Sequence, residues 1–151
     1  MSKYIALLLA ALLPLFARSA ELQLNLTRIE ASELYVALAG AGEGLAPANA
    51  IAAADNINTL RPLVEGLDKG KVAYQRAVQK LAKAQPPDVE AQVEKLTAEL
   101  EAKAAEVSPL KLSSLALTDE ELTAAKLKPA TLAALRRWLL PPPKQAVAHA
   151  P

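Results

Sequence analysis

From Glu21 to Thr27 the chain alternates Leu22, Leu24 and Leu26 with Glu21, Gln23 and Asn25. A period of two is the signature of a half-buried strand, because successive side chains leave opposite faces. The period then changes. Thr27-Arg28-Ile29-Glu30 is a capping box, in which Thr27 can accept from the backbone of Glu30 while Glu30 reaches back to Thr27. A helix is therefore predicted over Arg28–Ala39, with Ala31, Leu34, Tyr35 and Leu38 on one face; Gly40, Gly42 and Gly44, followed by Pro47, end it.

From Asn49 the pattern is helical again and at its clearest. Ile57, Leu60, Val64, Leu67, Lys71, Tyr74, Val78 and Leu81 are separated alternately by three and four residues, a heptad seam with one polar interruption at Lys71. Pro62 lies off the seam but removes a backbone donor, and Gly66 and Gly70 weaken the same stretch, so a bent helix or two abutting helices are expected. Gln85-Pro86-Pro87-Asp88 stops the run. Asp88 is the expected N-cap of a further helix carrying Val89, Val93, Leu96 and Leu100. Two amphipathic helices joined by so short a turn form an antiparallel hairpin. Glu65 with Lys69, and Glu99 with Lys103, are expected to pair on its outer faces.

Alternation returns after Pro109 with Leu110 and Leu112, then Leu115 and Leu117. The slip at Ser113-Ser114 predicts a strand with a bulge. Two lone alternating segments have few partners except each other, so Leu22–Leu26 is expected to pair with Leu110–Leu115. Thr118-Asp119-Glu120-Glu121 is a second capping box, and Lys128-Pro129 opens a last helix with Leu132, Leu135, Trp138 and Leu139 as its apolar face. Pro141-Pro142-Pro143 ends that helix, and residues 141–151 form a Pro/Ala tail too poor in apolar side chains to order itself. The fold expected over residues 21–140 is mainly α: a kinked antiparallel helical hairpin with flanking short helices and a two-stranded antiparallel β ribbon.

Residues 1–20 differ in kind. Lys3 is followed by an apolar run from Tyr4 to Phe16 with no polar face, then by Ala17 and Ser19 at the −3 and −1 positions of a cut before Ala20. That is the layout of a secretory signal peptide, and it is shorter than the ~20 residues a membrane-spanning helix needs. A cut after Ala20 would place Arg18 at −3. The expected location is periplasmic or secreted, or cytoplasmic or in a virion if the segment is not a signal; contact with a membrane is expected only if the segment stays uncleaved.

Composition narrows the functions. The 151 residues are enough for one domain and contain no cysteine, which excludes disulfides, thiolate nucleophiles, iron–sulfur clusters and cysteine zinc sites. The chain carries 17 basic and 16 acidic residues. Without residues 1–20, which hold Lys3 and Arg18 and no acid, the count is 15 against 16, or −1. Such a near-neutral chain has no electrostatic reason to bind nucleic acid, and its 3% aromatic content supplies no stacking platform.

Candidate chemistry is sparse. His149 is the sole histidine and sits in the tail, where no neighbour can position it as a general base. Glu30 with Glu33, Glu90 with Glu94, and Glu99 with Glu101 are the carboxylate pairs a glycosidase-type reaction would need, but on helix surfaces they read as solvated faces. Gly40-Ala41-Gly42-Glu43-Gly44 follows a helix and lacks the Lys-Ser/Thr of a phosphate loop, so it is a connector. Asn25-Leu26-Thr27 fits a glycosylation sequon but lies within a predicted strand. No enzyme activity, metal or cofactor is expected. Arg136 and Arg137 beside Trp138 form the one basic–aromatic cluster and are candidate partner contacts, since Arg and Trp are favoured hot-spot types. Lys71 is another candidate: within the seam it either snorkels to solvent or sets register and partner choice.

In this order the pieces resemble a family of small tailed-phage proteins of uncharacterised function. The residues that carry the likeness are Leu22-Gln23-Leu24-Asn25-Leu26-Thr27-Arg28-Ile29-Glu30-Ala31 with Leu34–Leu38, then Asn58-Thr59-Leu60-Arg61-Pro62-Leu63-Val64-Glu65. The closing alternation from Val107 to Leu117 leads into Lys128-Pro129 and Leu132–Leu135. The likeness covers about residues 21–140, and the family pattern has no export segment. The resemblance implies a phage- or prophage-encoded accessory protein acting by protein–protein contact, with no site residues to carry over. The alternatives are a host periplasmic helical chaperone or adaptor and a membrane-tethered, spanin-like lysis protein. The partner is an unknown protein, with a homodimer included, because an uncovered apolar seam invites self-association.

Overall fold

The computed structural model describes residues 20–41, 44–124 and 126–140. The segment 1–19, Gly42 and Glu43, and the Pro/Ala tail with its prolines and His149 lie outside the described residues.

Strand β1 (Glu21–Thr27) runs straight into helix α1 (Arg28–Ala41). The Thr27 backbone N–H donates to Glu30 Oε2 at 2.9 Å, and the Glu30 N–H donates to Thr27 Oγ1 at 3.2 Å, so the capping box is closed in both directions. The helix runs through Gly40 to Ala41, two residues past the end expected from the glycines.

Helix α2 (Pro47–Ala84) begins with a proline in its first turn, where no intrahelical donor is lost. It is one continuous helix through Pro62, Gly66 and Gly70, with no junction between abutting pieces. Pro62 and Asn58, whose carbonyl Pro62 leaves without an intrahelical donor, are both exposed, so water can fill the lost hydrogen bond. The chain leaves α2 through Gln85 in the left-handed region (φ 42°), turns at Pro86-Pro87, and returns as α3 (Val89–Ala104). Asp88 stands at the N-cap but makes no side-chain cap; its Oδ1 accepts from Gln92 Nε2 at 2.9 Å instead. The expected Glu65–Lys69 and Glu99–Lys103 pairs do not close among the described ion pairs.

Strand β2 (Val107–Ser113) pairs antiparallel with β1, Leu22 opposite Leu112 and Leu24 opposite Leu110. The register runs unbroken from Glu21–Ser113 to Thr27–Val107, so the expected bulge is absent. The break in alternation at Ser113-Ser114 marks where the chain leaves the strand. Ser114 N–H still reaches the carbonyl of Ala20 at 2.8 Å, but Leu115 N–H turns to Leu139 at 3.1 Å. Helix α4 (Asp119–Ala124) follows behind its own capping box, and α5 (Pro129–Trp138) starts at the expected proline.

The architecture is mainly α with a two-stranded ribbon, in two unequal parts. In the head, α1 packs between α2 and α5, and the ribbon lies against α1 and α2. Leu26, Leu34, Leu38, Leu60, Leu112, Leu115, Leu135 and Leu139 are fully buried there, with Ala31, Ala37, Ala52 and Ala53 where the helices come close. The other part is an arm. Leu67 and Ala104 are the last buried residues; from Asp68 to Lys103, out along α2 and back along α3, no residue is fully buried.

Two buried polar residues hold the head together. Asn49 and Asn56 lie seven residues apart on the inner face of α2. Asn56 accepts from Ser113 N–H (2.7 Å) and donates to Ser113 C=O (2.8 Å). Asn49 accepts from Ala116 N–H (3.0 Å) and donates to Ala116 C=O (3.3 Å) and to Glu121 (3.2 Å). Each carboxamide thus pairs with both backbone groups of one residue, as a neighbouring strand would, where the chain leaves the ribbon.

Candidate partner-docking surfaces

Arg137 and Trp138 meet on α5, but Arg137 is largely committed to the head. Its guanidinium lies 4.3 Å from the Trp138 ring centroid and donates to Glu30 Oε1 at 3.2 Å. Trp138 packs half-buried against the core, while Arg136 is exposed and makes no hydrogen bond or ion pair among the described residues. Beside them a shallow groove of about 560 Å³ opens between α1 and α5, floored by Ala37, Ala130 and Ala134 and edged by Val36, Glu33 and Trp138. Val36, 66% exposed, is the most exposed large apolar residue described.

Glu30 is the centre of this corner. One carboxylate accepts from the Thr27 N–H, from the Thr27 hydroxyl at 3.0 Å and from Arg137. The Thr27 backbone donor holds its pKa below the ordinary glutamate value; partial burial opposes the shift, and the Thr27 hydroxyl and Arg137 add to it. A carboxyl depressed in the folded state contributes stability above its unfolded pKa and loses it as pH falls through the folded one. The head is therefore expected to weaken on acidification below the ordinary glutamate range. Glu30→Gln should flatten that part of the stability–pH curve, as urea melts at successive pH values would read. Glu121 is placed in the same way: the Thr118 backbone donor is the main cause of its lowered pKa, against partial burial, and the Asn49 side chain adds to it.

The remaining candidates are not gathered into a site. Glu33 is exposed at the groove edge, and Glu90, Glu94, Glu99 and Glu101 are exposed on the arm. Among the described residues no group of three His, Asp or Glu could hold a metal ion. Lys71 leaves the seam for solvent, its side chain 53% exposed and its Nζ 3.7 Å from Asp68 on the same helix. Asn25 stays in β1, exposed and opposite Pro109.

The arm is the larger candidate surface. Gly70, Tyr74, Ala77, Val78 and Leu81 of α2 face Val89, Val93, Leu96, Thr97 and Leu100 of α3, all half-covered. The Tyr74 hydroxyl and Thr97 Oγ1, 3.1 Å apart, form the one polar link across the described hairpin. A Cβ on Gly70 would stand 3.5 Å from Leu100 Cδ1, an ordinary van der Waals contact, so the helices pass close together there with room for a methyl group. Along one side of this seam runs a groove in two stretches, about 240 Å³ between Gly70 and Lys103 and about 530 Å³ between Leu81 and Asp88.

No protein-family model matches the chain, and neither a curated protein nor a solved structure matches it. Among the described residues no helix is long and apolar enough to cross a membrane.

Proposed function

We propose that the protein is a small accessory protein, without enzymatic activity, that works by protein–protein contact, with the head as mount and the α2–α3 arm as docking element. The observation that carries this reading is the burial step at Leu67 and Ala104. A seam with heptad spacing continues outward for four more turns with only two helices to cover it. Two helices cannot bury each other's apolar stripes fully, and a third layer is the usual solution. The α1–α5 groove with Val36, Arg137 and Trp138 is a second, smaller contact surface.

The phage or prophage origin rests on the resemblance over residues 21–140, and export rests on the signal-like segment. Within that reading a cut before Ala20 is preferred, because it keeps the carbonyl that accepts from Ser114. The Ala-rich arm also suits a periplasmic chaperone or adaptor. A spanin-like tether is disfavoured, since the chain folds back after Ala84 and the hairpin reaches only about 25 Å beyond the head, from 1.5 Å per residue over 68–84.

A photo-crosslinking amino acid at Ala77 on the arm, in the full chain in its native cell, should form a discrete protein adduct. The same group at Asn25 on the ribbon should form no adduct with a different protein. Absence of adducts from Ala77, or equal yield from Asn25, would remove the arm as the docking element.

A further inference from the structure

The ribbon has two outer edges, and only one of them is closed. In an antiparallel ladder, opposite residues alternate between pairs that exchange both main-chain hydrogen bonds and pairs that turn those groups outward. The Ser114 N–H donates to the Ala20 carbonyl at 2.8 Å, so Leu22–Leu112, Leu24–Leu110 and Leu26–Ser108 are the bonded pairs. Glu21, Gln23 and Asn25 therefore turn their N–H and C=O away from β2. Their neighbours fit that phase: Pro109 has no N–H to give, Ser113 meets Asn56 with its outward groups, and the Thr27 N–H donates to Glu30.

The outer edge of β2 is guarded. Asn56 occupies Ser113, Pro109 offers no donor, and the exposed Lys111 lies between them. Such features keep an edge strand from pairing with another chain. The edge of β1 carries none of them. Glu21, Gln23 and Asn25 are exposed, and among the described residues their outward main-chain groups have no partner.

From this we infer that β1 pairs antiparallel with β1 of a second copy of this chain, joining the two ribbons into one four-stranded sheet. The edge is complementary to itself in one register. With Gln23 on the two-fold axis, it lies opposite the partner's Gln23, Glu21 lies opposite the partner's Asn25, and Leu22 opposite the partner's Leu24. Every outward N–H and C=O of the three residues then finds a partner. No like charges meet, since Glu21, already 3.0 Å from Lys111, faces a neutral amide. Sliding two residues one way sets Glu21 against Thr27, whose N–H Glu30 has taken; sliding the other way carries Asn25 past the start of β1. On the other face Leu22 and Leu24, both half-buried, cover each other across the new strand pair. An edge this short buries little surface, so the dimer is reversible. It belongs to the head, and pairing through it leaves the arm free for its own partner.

Sedimentation of the purified protein from about 1 to about 500 μM should show monomer passing to dimer. The chain has no cysteine, so a single introduced thiol reports one distance. With an added thiol oxidant, Gln23→Cys should give a disulfide-linked dimer, because opposite residues of a bonded pair stand about 5.5 Å apart at Cα. Asn25→Cys should not, its counterpart lying about 14 Å away along the partner strand. Gln23→Pro removes the donor at the axis and leaves the β1–β2 bonds intact, as Pro109 does on the other edge. It should dimerise at least about tenfold more weakly while keeping the helical circular dichroism of the parent. Gln23→Lys keeps the backbone and sets two like charges face to face; it should weaken the dimer at least about threefold, and mixing with Gln23→Glu should restore it. A chain monomeric throughout the range overturns the inference, including one whose Gln23 and Asn25 amides are protected from exchange by residues 1–19. So does a dimer that Gln23→Pro and Gln23→Lys both leave at wild-type strength, or Asn25→Cys crosslinking as readily as Gln23→Cys.

Discussion

Replacing Asn56 with alanine is expected to lower the unfolding free energy of the head by about 3 kcal/mol, the largest effect of any polar substitution in the chain. The side chain is 1% exposed and satisfies both backbone groups of Ser113. Truncation leaves a donor and an acceptor unpaired inside the protein, each at about 1–3 kcal/mol, and opens a small void besides. Asn56→Asp is the sharper probe. Aspartate keeps the acceptor for the Ser113 N–H but sets a second oxygen against the Ser113 carbonyl, so it should destabilise most at neutral pH and least in acid, where its proton can be donated. Urea denaturation followed by circular dichroism at two pH values checks both. A loss below about 1 kcal/mol for Asn56→Ala would mean that the carboxamide is not the tie between α2 and the end of the ribbon.

The second large effect is a contrast between the two parts. Leu60→Ala in the head should cost about 3–4 kcal/mol, because Leu60 is fully buried among α1, α2 and ribbon side chains and its removal leaves a cavity. Val78→Ala, on the same heptad seam but in the arm, should cost under about 1 kcal/mol. That side chain is only half-covered, and its neighbours can relax into open solvent. The two positions belong to one periodic pattern and differ in how many layers lie on them. Denaturant midpoints of the two variants against the parent chain measure the difference.

That difference is also where the sequence stopped being legible. Alternation located both strands and their pairing, since Leu22, Leu24 and Leu26 can bury one face only against Leu110 and Leu112. The two Thr-x-x-Glu boxes locate the starts of α1 and α4, and Lys128-Pro129 locates the start of α5; Pro47, which reads as part of the break after α1, opens α2 two residues before the expected start at Asn49. Periodicity reports which face of a helix is apolar, however, and not how many neighbours cover it, so Ile57 to Leu81 read as one seam where the structure divides it into core and arm. Pro62 makes no junction between two helices, because its lost hydrogen bond falls on the solvent side. The end of β2 was misjudged because its closing hydrogen bonds come from side chains on α2, far away in sequence.

Asn49 and Asn56 were the missed residues. Their signal was present: both fall in phase with Ala52, Ala53 and Leu60, on a helix face that is otherwise apolar and small. A polar side chain on such a face needs a buried partner, and backbone leaving a strand supplies one. Of the candidate contacts, Arg137 had its partner in Glu30, a residue already spoken for by the capping box. The Arg136–Trp138 cluster therefore serves first to fasten α5 to the start of α1 and only at its outer edge as surface.

An arm that is incomplete in the single chain should open easily, and amide hydrogen exchange on the dilute protein measures that most directly. Residues 68–103 should exchange at least about 100-fold faster than the inner faces of α1 and of residues 49–64 in α2, a difference of about 2.7 kcal/mol in opening free energy. Arm amides protected to the level of the head in a demonstrably monomeric sample would contradict it: two helices would then be sufficient, and the seam would need no partner.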